Sequence, residues 1–118
     1  MSQDYRLYLT DIRRACEKVR SYTAGLTFDQ FVSDSKTRDA VLHNLAIIGE
    51  AVKKLPQEIC ERAPVIEWRK IARFRDIVIH HYFAVDNQIV WDIVVNKVPE
   101  LVVGLEHLAD DAEPNNGP

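Results

Sequence analysis

The chain has little of what would place it outside the ordinary helical domains. It has only two cysteines, Cys16 and Cys60. Both fall inside helical patterns, with no second cysteine or histidine at metal-ligand spacing. Buried free thiols of a cytoplasmic protein are therefore expected, not a disulfide framework or a zinc site. No apolar run approaches the ~18–20 residues that a membrane span requires. Charges are spread through the opening MSQDYRLYLTDIRRA, which argues against a secretory signal. Basic residues are not in excess: 15 Lys and Arg stand against 18 Asp and Glu, a formal net charge of −3. Any nucleic-acid partner must then be held by a local patch, not by bulk charge. Repeats and linkers are absent. Residues 1–112 read as one domain, and residues 113–118, EPNNGP, as a flexible end to an acidic tail.

What is present is helical patterning over a length that suits a single core. Ser2 or Asp4 caps a first helix in which Leu9, Ile12, Cys16 and Val19 recur every three or four residues, and Gly25 closes it. Thr27 caps a short turn that tucks in Phe28 and Phe31. A second long helix starts near Ser35 or Thr37, buries Val41, Leu42, Leu45, Ile48 and Val52, and stops at Pro56. Gly49 sits within its buried stripe, where glycine costs about 1 kcal/mol against alanine, so close approach of another helix is expected there. A brief turn before Pro64 leads to a third helix from about Glu67 to Tyr82. Asp86 caps a fourth long segment, with a kink expected at Pro99. The segments DIVIHHYFAV and IVWDIVV are rich in β-branched residues, but length and flanking periodicity favour helix. The expected fold is all-α, a bundle of four main helices with one or two short ones. Trp68 and Trp91 are expected as core anchors, and His43 and His107 in surface or core roles.

The third helix carries the chemistry. The segment RFRDIVIHHYF, residues 73–83, sets two arginines, an aspartate, two histidines and a tyrosine among large apolar residues. Arginine offers a planar fork of donors that matches phosphate oxygens. Histidine exchanges a proton near neutrality. Arg75 and His80 together suffice for metal-free cleavage of RNA. The imidazole would take the ribose 2′-hydroxyl proton or protonate the 5′-oxygen, and the guanidinium would stabilise the charge on phosphorus. No cofactor is required, and a 2′,3′-cyclic phosphate is the expected product. The geometry is awkward, because on an ideal helix the two residues lie about 140° apart. Either the helix unwinds near His80 or two chains share a cleft across a two-fold axis. Arg69, Lys70 and Arg73 form a basic cluster beside the pair, which is either a solvated face or a guide for phosphates.

Arg75-x4-His80-x-Tyr82, followed by Phe83 and Trp91, resembles the signature of HEPN-domain ribonuclease toxins, and of their HepT branch in particular. The stretch TRDAVLHNLAIIGEAVKKLP, residues 37–56, is similar to that branch's second helix with its Ile-Gly-Glu element, and residues 68–86 are similar to its third. The resemblance spans roughly Tyr5 to Ala109. It implies a HEPN-type helical homodimer with one RNA-cleaving cleft at the interface; the sequence leaves open whether dimers assemble further. It also implies a toxin–antitoxin pairing with an MntA-like nucleotidyltransferase, which silences the toxin by transferring AMP to the motif tyrosine. Arg75 then binds phosphate, His80 is the acid or base, and Tyr82 accepts AMP. Asp76, His81 and Glu50 are supporting candidates. Asp76 stands where many HEPN proteins have asparagine; it would orient Arg75 or His80, or repel phosphate. The competing expectation is a non-catalytic HEPN module that binds nucleotide or RNA or partners a nucleotidyltransferase. The plainest alternative is a structural bundle with a buried polar patch.

Overall fold

The computed structural model describes residues 4–112, with side chains to Leu108. Ser2 and the tail from Glu113 lie outside the described residues, within which every regular element is helical. Helix α1 (Tyr5–Thr23) starts at Asp4, whose carboxylate accepts a hydrogen bond from the Arg6 N–H at 2.9 Å. It ends against Gly25, whose φ of 77° is a left-handed conformation that side chains disfavour. Helix α2 (Phe28–Ser33) is opened by a reciprocal capping box between Thr27 and Gln30. Helix α3 (Ser35–Lys53) starts where expected, but its cap is Asp34, which accepts from the Thr37 N–H at 3.1 Å. The short helix α4 (Gln57–Cys60) follows Pro56.

Helix α5 (Trp68–His80) is shorter than expected. It stops two residues before Tyr82, and Tyr82–Ala84 form a separate 3-10 turn. Helix α6 (Asn87–Asp92), a π-helical turn (Ile93–Lys97) and helix α7 (Val98–Ala112) run on without a break. The π-helical turn stands where a kink at Pro99 was expected. Proline has no N–H for the carbonyl one turn back, and its ring crowds that carbonyl. Widening the preceding turn accommodates both problems while the helix continues.

Helix α3 packs along α1 on one side and along α5 on the other, while α7 lies against α1. The fully buried centre includes Ile12, Val19, Phe31, Leu42, Val90 and Leu108. Both tryptophans are half-buried and act as pins. Trp91 packs on Phe31 with ring centroids 5.2 Å apart and meets Phe28 edge-on at 6.2 Å. The Trp68 indole N–H donates to the carbonyls of Cys60 and Ala63, at 3.0 and 3.1 Å, and so ties α4 to the start of α5. Cys16 is buried, and desolvation pushes its thiol up to about 12. Cys60 departs from expectation: it is free but only half-buried. His43 and His107 are both exposed.

Candidate active site

One glycine sets where the motif arginine sits. A Cβ added to Gly49 would lie 2.4 Å from Arg75 Cβ and 3.0 Å from the Ile71 carbonyl oxygen. The α3–α5 approach therefore depends on the missing methyl, as the mid-helix glycine led us to expect. It lays Arg75 across α3 directly beside Glu50. Arg75 Nε lies 3.2 Å from Glu50 Oε1, and one of its terminal nitrogens donates to Asp76 Oδ1 at 3.2 Å. Lys54 and Lys53 approach the same two carboxylates at 3.7 and 3.8 Å. Glu50 Oε1 is closed off from solvent and meets Arg75 as an ion pair without hydrogen-bond alignment. The arginine side chain itself is only 27 % exposed. Of the two roles open to Asp76, orienting the guanidinium is the one its contact matches.

His80 stands differently. It is the last residue of α5, exposed, and no hydrogen bond or ion pair holds its ring among the described residues. His81 leaves the helix with φ −136° and ψ 39°, and its N–H closes the last turn on the Ile77 carbonyl at 2.8 Å. Its side chain is also exposed. The helix thus unwinds just past His80, too late to turn the imidazole toward Arg75. The two residues make no contact within one chain. By the helical repeat, His80 lies instead within about 20° of Arg69 and about 20° of Arg73. Both arginines are exposed. Lys70 is drawn to Glu67 at 3.0 Å.

Tyr82 is held by residues that local spacing does not reveal. Its hydroxyl donates to Asp39 Oδ1, on the second turn of α3. The Arg38 guanidinium stands over its ring, 5.9 Å from the centroid. Arg38 in turn donates to Asn87 Oδ1 and to the Val85 carbonyl, the latter at 3.1 Å. Burial raises the Tyr82 phenol above its usual value, the hydrogen bond and negative charge of Asp39 raise it further, and Arg38 opposes them. Phe83 packs edge-on against Tyr82 yet is 96 % exposed. With Ile77 and Ile79 it leaves an apolar margin beside His80. A separate cleft of about 220 Å³ lies between α5 and the π-helical turn, with Ile71, Phe74, Ile93 and Leu101 among its walls. None of the six expected site residues lines it.

The chain is 42% identical over 111 residues to a protein of Methanocaldococcus jannaschii named as a candidate RNase, covering 94% of this chain and 92% of the relative. It is 40% identical over 108 residues to a protein of Thermococcus cleftensis named as a probable ribonuclease HepT, covering 92% and 98%. A candidate RNase of Caldanaerobacter subterraneus is 41% identical over 96 residues, covering 81% and 86%. No solved structure matches the chain. The sequence profile described as Ribonuclease HepT-like matches residues 12–108, from Ile12 in α1 to Leu108 in α7. With an all-helical fold and relatives matched along nearly their whole length, the chain belongs to the Ribonuclease HepT-like family.

Proposed function

We propose that this protein is a metal-independent endoribonuclease, the toxin of a toxin–antitoxin pair, with Arg75 and His80 as its catalytic residues. The observation that carries the reading is the state of His80: a solvent-facing, unpaired imidazole at a helix end, in line with Arg69 and Arg73. An unpaired imidazole is free to exchange protons with a bound substrate. Arg75, half-buried and braced by Glu50 and Asp76, supplies a pre-set guanidinium for the phosphorane-like transition state. The two face different ways within one chain, so the working cleft forms between two copies. One chain's His80 then meets the other's Arg75 across a two-fold axis. The exposed Ile77, Ile79 and Phe83 supply apolar surface for that contact.

In the reaction, His80 takes the 2′-hydroxyl proton, the 2′-oxygen attacks phosphorus, and Arg75 holds the anionic oxygens. The P–O5′ bond breaks and the 5′-oxygen takes a proton from solvent, giving a 2′,3′-cyclic phosphate. Arg69 and Arg73 bind flanking phosphates, so affinity falls as salt rises. An MntA-like nucleotidyltransferase silences the site by transferring AMP to Tyr82. The added phosphate and adenosine then block the cleft. The alternative, a non-catalytic module that binds RNA, nucleotide or a nucleotidyltransferase, draws on the pairing of Arg75 with two carboxylates.

The test is cleavage of total RNA in EDTA by the AMP-free wild type, Arg75→Ala and His80→Ala, with product ends mapped. Cyclic phosphate ends from the wild type alone support the proposal. An AMP-free wild type that binds RNA without cutting it establishes the module.

A further inference from the structure

We infer that Asp39 is the proton acceptor that makes Tyr82 a nucleophile, and that Arg38 is the positioning residue that holds the ring for attack. This deepens the reading of Tyr82 as the AMP acceptor and rests on it. A free phenol near neutral pH is un-ionised in all but about one molecule in a thousand. Group transfer to it therefore needs a base at the hydroxyl. Here one is already hydrogen-bonded to it: Asp39 Oδ1 accepts from the Tyr82 hydroxyl across 43 residues of sequence. Tyr82 is half-buried, but the hydrogen bond to the exposed Asp39 lies at the surface, so an activated phosphoryl group can reach the phenolic oxygen. The ring is restrained as well. Arg38 stands over it and is itself fastened to Asn87 and to the Val85 carbonyl. A nucleophile, its base and a restrained ring are the minimum for efficient attack.

The step balances simply. Tyr82 Oη attacks the α-phosphorus of magnesium-bound ATP, which the nucleotidyltransferase supplies, and the new O–P bond forms as the bond to the β-phosphate oxygen breaks. Pyrophosphate leaves with that electron pair, and the phenolic proton passes to Asp39 and then to solvent. The product can no longer donate to Asp39. Its phosphodiester charge repels the carboxylate, while Arg38 remains close by as counter-ion. Asp39 and Arg38 are the charged groups that face the phenol from α3, and His80 and His81 precede it on its own segment.

Two parallel measurements test this, each on wild type, Asp39→Asn and Asp39→Glu. In one, the full chain is incubated with its nucleotidyltransferase and magnesium ATP, and the mass gain on Tyr82 is followed between about pH 6 and pH 9, well below ordinary phenol ionisation. In the other, 5′-(4-fluorosulfonylbenzoyl)adenosine replaces both enzyme and ATP, so that Tyr82 reactivity is read without a partner. Circular dichroism verifies that each variant is folded. Asp39→Asn should slow both reactions about 100-fold. Its rate should climb with pH as phenolate forms, while the wild type stays nearly flat, and Asp39→Glu should recover part of the loss. Equal rates for Asn and Asp, or a loss in Asn that pH does not restore, overturn the role of Asp39. A wild type that reacts with the adenosine probe in an Asp39-dependent way, yet takes no AMP from the partner, overturns AMP transfer while the base stands.

Discussion

The middle and the C-terminal end of helix α5 are built on opposite principles. Around Arg75, Gly49 lets α3 and α5 approach closely, and Glu50 and Asp76 pair with the guanidinium while Lys53 and Lys54 pair with those carboxylates. At the His80 end the helix comes apart, the imidazole is unpaired, and Phe83 stands in solvent. The guanidinium is paired within one chain, and the imidazole is not. A group that must hold a fixed charge in place is helped by packing, whereas a group that must gain and lose a proton is hindered by permanent partners. The division also explains why a single copy does not bring the two together.

Several substitutions break or sharpen the contrast. The largest effect should come from the helix end: His80→Ala should lower RNA cleavage about 100-fold or more while the melting temperature barely moves, because the side chain is exposed and makes no hydrogen bond or ion pair among the described residues. Arg75→Ala should cost a similar factor in cleavage, but with a measurable loss of stability, since it strands Glu50 Oε1 in a closed site. Urea titrations of the two variants should therefore differ. Gly49→Val should destabilise the fold by roughly 1–3 kcal/mol, as overpacked cores do, and abolish cleavage by shifting α5. Unchanged urea midpoints would mean that the helices yield freely and that Gly49 does not set the site. Glu50→Gln should change stability by less than about 1 kcal/mol, since the pair is partly solvated, and lower the cleavage rate by loosening Arg75.

The smallest effect lies at Tyr82 and follows from the sign of its shift. Its folded phenol titrates above the ordinary value of 10.0. The folded state thus keeps a proton that the unfolded chain releases, and this contribution to stability is whole below pH 10 and fades as pH rises through the folded value. Tyr82→Phe should make stability less sensitive to alkali, as read from thermal melts on either side of pH 10.

The helical periods and caps were legible because they are local. Asp4, Thr27 and Asp86 cap helices that apolar spacing already outlines, and Gly49 announced a close approach by standing in a buried stripe. What stayed hidden is non-local or depends on how helices end. Asp39 and Arg38 sit in TRDAV, in a stretch that reads as ordinary helix surface, and nothing nearby points to a tyrosine 43 positions on. Apolar spacing carries the expected end of α5 on to Tyr82, past the point where the backbone turns away at His81. Sequence alone does not single out Asp34 as the cap, because Ser35 and Thr37 are equally good candidates by type.

The π-helical turn at Ile93–Lys97 has a bearing on how the sequence tolerates insertion and deletion. A π turn holds about one residue more than the α-helical turn it replaces, so it offsets the two flanking helices by about 100° of rotation. Trp91, packed on Phe31, stands before the turn, and Leu101, in the core, stands beyond it. Removing a single residue from 93–97 would restore ordinary helix locally. It would also swing Trp91 off the phenylalanines and carry Asn87 away from Arg38, two turns upstream of the cut.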